Sequence, residues 1–301
     1  MKPQSRLITL QAITFLHPGT GKTTGIVDLP VQREVHTGYP MFAASGFKGS
    51  LRDKAEHSSD ISIDEIEILF GSSVGGEENP NAGALSVTDA RILAFPVRSL
   101  QQVFVWVTCP MVIQRLLRDF ELLDLQLPTF TLETEPEHET AWKAEDSLLE
   151  GMLILEDVNF TVTKNAQVDD LLTLITPLLD SKAGFDGKRL VVIPNGEFQH
   201  LVRYATQISA RIKLNERKTT DGDGGNLWYE ETLPPETLMY ALALCHGSRR
   251  NNKAVETAEY VAEKLQTLLD DRFLQIGGNE TVGQGWCCVK VSGAKADGEK
   301  S

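Results

Sequence analysis

Residues 16–52 read LHPGTGKTTGIVDLPVQREVHTGYPMFAASGFKGSLR, and how this glycine- and proline-broken stretch leaves one strand and enters one helix decides the fold. Ahead of it, residues 6–16 (RLITLQAITFL) are apolar and β-branched without helical spacing and stop at Pro18 and Gly19, which predicts a buried strand. Behind it, Ser45 is placed to cap a short helix through GFKGSLRDKAEH. On that helix Lys48 and Arg52 stand about a turn apart with Gly46 and Gly49 between and beside them, so cations and bare backbone share a face that a phosphate could approach. The embedded GTGKTT suggests a nucleotide-binding P-loop. The first glycine of that pattern falls on Leu16, however, and Gly25 and Pro30 deny the helix that must follow, so the stretch is read as a loop built around Asp28.

Working outward, residues 55–84 with FGSSVGGEENPNAG read as an irregular insertion. ALSVTDARILAFPVR and QVFVWVTCP read as neighbouring strands, and MVIQRLLRDFELL has apolar residues at helical spacing. Strand, helix, strand, strand, helix opens a ferredoxin-like or RRM-type unit, an α+β fold. An acidic insertion over 119–157 follows, ending in one further strand, GMLILEDVNFTV. VDDLLTLITPLLD predicts a helix kinked near Pro177, and KRLVVIPNGEFQHLVRYAT a strand, a turn and a helix. Residues 207–235 place two extended runs around DGDGG and predict a protruding hairpin with a basic first arm (Arg211, Lys213) and an aromatic second arm. An amphipathic helix, NKAVETAEYVAEKLQTLLD, precedes a last strand broken by the glycine loop GGNETVGQG, and 292–301 reads as a flexible tail. No repeat or linker divides the chain, so 1–301 is expected to be a single domain with insertions.

With 301 residues, 41% of them hydrophobic, the chain can bury a sizeable core. No apolar run reaches the roughly 20 residues of a membrane span and the N-terminus lacks a secretory signal, so a cytoplasmic protein with no membrane partner is expected. Cys109, Cys245, Cys287 and Cys288 have neither zinc nor disulfide-framework spacing and are read as reduced, buried thiols. The formal net charge of −13 is segregated: twelve acids face the single base Lys143 within 119–157, whereas residues 1–54 and 203–218 are each +4. This distribution is compatible with a basic groove opposite an acidic face.

The segments LHPGTGKTTGIVDLPVQREVHTGYPMFAASGFKGSLRD, FGSS, LWYEETLP and IGGNETVGQGW together resemble the RAMP superfamily of CRISPR proteins, and within it the backbone subunits of type III-B (Cmr) effector complexes. Lys22 departs from the small or polar residues common there. The resemblance implies an RRM-like palm with inserted segments and a thumb hairpin. It also implies an endoribonuclease: copies assembled head to tail with other Cmr-complex subunits along a guide (CRISPR) RNA, cutting complementary target RNA at regular intervals. Asp28 matches the catalytic position, with His17 and either Glu230 or Glu231 at auxiliary ones. Lys48, Gly49 and Arg52, the hairpin's Arg211 and Lys213, and Gly277, Gly278, Asn279, Gly283 and Gly285 match RNA-binding surfaces.

A regular A-form duplex keeps the 2′-hydroxyl out of line with its own phosphodiester, so a hairpin that displaces a nucleotide supplies the distortion self-cleavage needs, while base pairing chooses the sequence. An ordinary Asp, with a pKa near 3.9, is a weak general base at neutral pH, which favours Asp28 as ligand of a divalent cation, Mg²⁺ or Mn²⁺. A backbone subunit that binds guide RNA without cutting, the corresponding type III-A subunit, and a guide-precursor nuclease remain as alternatives.

Overall fold

The structure is a computed structural model; it describes residues 3–72, 80–124, 130, 132, 134–220, 227–248, 257–270 and 272–293. Strand β1 (Gln4–Ala12) is the expected N-terminal strand. From Leu7 to Ala12 it is buried on both faces, which is why its sequence runs apolar instead of alternating. After the loop and the two-residue β2 (Met41–Phe42), α1 (Ala44–Glu56) buries Phe47, Leu51 and Ala55, an i, i+4, i+8 stripe. Ser45 is not its cap. The cap position is Ala43, and the helix start is held by tertiary partners: Asp89 Oδ1 accepts the Ala44 N–H at 2.7 Å and Gln32 Oε1 the Ala43 N–H at 2.7 Å.

The 55–84 segment is more ordered than expected, since it carries α2 (Ile63–Phe70) behind a capping box in which Ser62 and Glu65 satisfy each other's backbone donors. Residues 73–79 lie outside the described residues. ALSVTDARILAFPVR, expected as one strand, divides into β3 (Leu85–Val87) and β4 (Ala90–Ser99); β5 (Val103–Thr108) and helix α3 (Pro110–Leu122) follow as read.

The acidic 119–157 segment is no detached insertion, because it supplies β6 (Thr140–Lys143) and β7 (Met152–Leu155) to the main sheet. GMLILEDVNFTV is two strands: β7 turns at Glu156 (φ +50°) into β8 (Val158–Lys164). Several of the acids are also neutralised by distant bases, in Asp119–Arg91 (2.8 Å), Glu156–Arg98 (2.7 Å), Asp146–Lys188 (2.6 Å) and Glu145–Lys164 pairs.

Helix α4 (Ala166–Ile175) gives way at Pro177 to a 3₁₀ turn; β9 (Leu190–Val192) and α5 (Asn195–Tyr204) then lead into the hairpin. Its arms, β10 (Gln207–Ile212) and β11 (Leu227–Thr232), form a separate two-stranded sheet, with 221–226 outside the described residues. The chain closes with β12 (Leu238–Cys245), α6 (Ala258–Leu268), β13 (Phe273–Gln275) and β14 (Trp286–Gly293); the expected tail beyond Gly293 lies outside the described residues.

Among the described residues the main sheet has twelve strands, ordered β13-β14-β1-β12-β4-β5-β9-β6-β8-β7, with β2 on β4 and β3 on β12. It curls until Ser99 of β4 pairs with Leu155 of β7. Around β1 every neighbour is antiparallel, and β12 pairs antiparallel with β4. All four cysteines are free and buried. No helix among the described residues is long and apolar enough to cross a membrane.

Candidate active site

Asp28 is placed by the hairpin. Residues 28–31 run along the edge of β11 opposite β10: Leu29 donates to the Tyr229 carbonyl at 3.0 Å and receives the Glu231 N–H at 3.0 Å. The loop thereby extends the hairpin by one short parallel strand at Leu29 and Glu230. The Asp28 carboxylate takes part, with Oδ2 accepting the Tyr229 N–H at 2.8 Å. Behind it the loop closes through Thr23 N–H to the Asp28 carbonyl at 2.9 Å. Gly21 to Ile26 are exposed and no helix follows them, so Lys22 belongs to a surface loop and not to a phosphate cradle.

Glu230 and Glu231 project to opposite faces of β11, as adjacent strand residues must. Their surroundings differ sharply. Glu231, 7% exposed, has both oxygens engaged: Oε1 accepts from Arg33 Nη2 at 2.6 Å and Thr206 Oγ1 at 2.8 Å, and Oε2 accepts the Val31 N–H at 3.0 Å. Glu230, 3% exposed, uses Oε1 alone among the described residues, for Asn279 Nδ2 at 2.5 Å and Arg211 Nη2 at 3.4 Å. His17 lies between these groups. Its Nδ1 meets the Glu231 carbonyl at 2.8 Å, and since a carbonyl only accepts, Nδ1 carries a proton. The ring is buried against Gly19 and Gly278.

The glycine loop is shaped by this contact. The His17 carbonyl receives the Gly278 N–H at 3.1 Å, and a Cβ on Gly277 (φ +83°) would stand 2.8 Å from that same oxygen. Gly285 donates to the Phe15 carbonyl at 2.8 Å, and Gly283 to Glu280 within the loop's own 3₁₀ turn at 2.8 Å. These glycines let two loops close on one another, and Asn279 reaches out of them to Glu230.

The two α1 cations matched to RNA-binding surfaces stand on one flank of the helix. Lys48 and Arg52 follow the buried Phe47 and Leu51 by one residue and occupy one flank of the helix; Ser50 and Lys54, which precede Leu51 and Ala55, occupy the other, at about 100° per residue. It is the second flank that shares a groove with Glu280, Gln275, Phe273 and Trp286. Arg52 already holds Glu56 at 2.8 Å and the Gly71 carbonyl at 3.1 Å, while Gly49 has open space where a side chain would stand.

The hairpin has two unlike faces. Cross-strand register places Arg211 opposite Trp228 and Ser209 opposite Glu230 on one side, and Lys213 follows just past the end of β10. The other side carries Ile208, Ile212, Leu227 and Tyr229, which are 54%, 54%, 53% and 44% exposed, an apolar strip left uncovered among the described residues. Sequence reasoning registered the hairpin but missed this strip, although ISARI alternates with period two. It also missed Arg33 and Thr206, whose partners are remote in the chain.

Among the described residues no three or more His, Cys, Asp or Glu side chains gather as a metal cage. The donor set at Asp28 fits a hard divalent cation of another kind, one that takes a single carboxylate and completes its shell with water and phosphate oxygens. Oδ1 of Asp28, which has no partner among the described residues, is the atom available for it.

The RAMP superfamily pattern matches residues 9–288. The chain belongs to the RAMP superfamily. This RAMP protein is 35% identical over 289 residues to the CRISPR system Cmr endoribonuclease Cmr4 of Pyrococcus furiosus, covering 95% of this chain and 94% of that one. The oligomeric crystal structure of Cmr4 from Pyrococcus furiosus superposes with a TM-score of 0.73 at 29% identity, covering 96% of this chain and 98% of the other. A chain of the type III-B Cmr-β complex bound to cognate target RNA gives 0.72 at 21% identity, covering 95% and 96%; at that identity the likeness speaks for the fold alone.

Proposed function

We propose that this RAMP protein is the backbone subunit of a cytoplasmic type III-B CRISPR effector, an endoribonuclease that holds a guide RNA and cuts complementary target RNA at regular intervals. The observation that carries this reading is the pinning of the Asp28 carboxylate to the hairpin backbone, beside Glu230, in a chain matched over its length by an endoribonuclease Cmr4. The finer architecture we propose is an RRM-like palm. It is supported by the antiparallel order β14-β1-β12-β4, with α1 leaving β1 and α6 leaving β12, which is the ferredoxin-like arrangement once the segments between β4 and β12 are set aside. Copies assemble head to tail with other Cmr subunits on the guide.

In the reaction we propose, the target's 2′-oxygen forms a bond to the adjacent phosphorus while the bond to the 5′-oxygen breaks; the 2′-hydroxyl loses its proton and the leaving 5′-oxygen gains one. The products are a 2′,3′-cyclic phosphate and a 5′-hydroxyl. The apolar hairpin face of Ile208, Ile212, Leu227 and Tyr229 suits insertion against bases, displacing one nucleotide so that its neighbouring phosphodiester can reach the in-line geometry. Arg211 on the other face and Lys213 just past it hold phosphates, and Lys48, Gly49 and Arg52 meet the guide. A divalent cation, Mg²⁺ or Mn²⁺, held by Asp28 would supply neutralisation of charge at phosphorus. Asp28 is kept in place by the Tyr229 N–H, and the buried His17 joins β11 to the glycine loop.

The test is purified complex, loaded with guide, on matched and unmatched RNA. Cuts confined to matched RNA support the proposal; binding of matched RNA with no cut would leave a non-catalytic backbone subunit.

A further inference from the structure

Resting on that reading, we propose that Arg33 and Glu231 are positioning residues that set the Asp28 loop against the hairpin, and that Glu230, not Glu231, is the acid left to assist Asp28. Glu231 gathers four segments. Its carboxylate holds Arg33, Thr206 and the Val31 amide, and its carbonyl holds His17 Nδ1. A carboxylate whose two oxygens already accept three hydrogen bonds, one of them from a guanidinium, cannot also bind a cation or move a proton without abandoning a buried ion pair.

Arg33 extends the same clamp. Its Nη1 donates to the Gly38 carbonyl at 3.0 Å and the Val202 carbonyl at 3.0 Å, so one planar group ties the turn after the Asp28 loop, the last turn of α5 and the hairpin together. The next residue, Glu34, is held from the other side by Arg115 through both oxygens, at 2.5 and 3.0 Å. Residues 28–31 are thus fastened at both ends, at Asp28 by the Tyr229 amide and at Val31 by Glu231. Glu230 has no such duty to the loop. Its contacts are the glycine loop's Asn279 and the hairpin's Arg211, which shares its face of the hairpin.

A displacement of about 1 Å at the reacting centre costs roughly 100-fold in rate, which is the loss expected when the clamp opens. The experiment uses the assembled guide-loaded complex carrying Arg33→Ala, Arg33→Lys, Glu231→Gln, the Arg33→Ala/Glu231→Gln double variant, Glu230→Gln or Asp28→Ala. It reads single-turnover cleavage at saturating matched RNA, target Kd, and hydrogen exchange of residues 28–34. Arg33→Ala and Glu231→Gln should each slow cleavage about 100-fold with Kd nearly unchanged and should speed exchange across 28–34; the double variant should be no slower than either single one. Arg33→Lys, which keeps the charge and part of the bonding and is the safeguard should Arg33→Ala not fold, should recover part of the rate. Glu230→Gln should slow cleavage without altering exchange in 28–34.

Full-speed cleavage by Glu231→Gln, unchanged exchange in the clamp variants, or additive losses in the double variant would overturn the inference. The two levels separate cleanly: a fully active Asp28→Ala complex removes the site itself, whereas an inactive Asp28→Ala beside fully active clamp variants removes only the positioning role.

Discussion

Replacing Gly277 by alanine should destabilise the protein more than the same change at Gly283, and the difference can be worked from the structure. Both glycines are left-handed, at φ +83° and +80°, so each substitution carries the cost of placing an L-residue there, about 1–2 kcal/mol. At Gly283 the new methyl meets nothing within 4 Å. At Gly277 it stands 2.8 Å from the His17 carbonyl oxygen, which is backbone and already accepts the Gly19 and Gly278 amides at 3.0 and 3.1 Å. Relieving the contact means loosening those bonds, each worth about 1 kcal/mol, so Gly277→Ala should cost roughly 3–4 kcal/mol in all. With a shift of about 2–4 °C per kcal/mol in chains of this order of size, thermal unfolding followed by circular dichroism should fall by roughly 6–15 °C, against about 2–8 °C for Gly283→Ala. Equal shifts would refute the close packing of the glycine loop on His17.

Other expectations concern separate parts of the molecule. Burial raises the Glu65 carboxyl, but Lys264, Tyr260 and Ser62 donate to it and bring it net from an ordinary 4.5 down to about 2. Its contribution is therefore complete above pH 4.5 and lost as pH falls through about 2, so wild type should exceed a Glu65→Gln variant in stability above pH 4.5, the margin should shrink as pH falls, and the two stability curves should converge only below about pH 2. Lys22→Ala should leave target cleavage within about twofold of wild type, because an exposed loop cation holds no phosphate cradle; a loss of activity restored by added nucleotide would contradict that. Chelation of divalent cations should stop cleavage in a gel assay while matched RNA stays bound, and undiminished cutting in chelator would remove the metal from the account.

What the sequence made legible was local. The buried run of β1, the Phe47–Leu51–Ala55 stripe of α1 and the two extended arms around DGDGG could be read because a few residues' spacing determines each. Helix α2 also had a local signal, Ser62 three residues before Glu65 ahead of an apolar run, and it was overshadowed by the glycines and asparagines that follow. Other features depend on partners far along the chain. The α1 cap comes from Asp89, and Lys188 neutralises Asp146 across 42 positions, so net charge over 119–157 overstated the acidity of that face. At the site, adjacency along a strand implies that Glu230 and Glu231 point to opposite faces, yet only the positions of Arg33, Thr206 and Asn279 distinguish the one that binds the Asp28 loop from the one that meets the glycine loop.

We propose that Asp28, set on the hairpin edge, organises the cutting of guide-matched RNA. The most direct measurement is a cleavage map of matched target RNA by wild-type complex and by complex built with Asp28→Ala, with target binding measured alongside. Regularly spaced cuts in wild type, their disappearance in the variant and unchanged binding are the predicted result; the same ladder of cuts from the Asp28→Ala complex would contradict it.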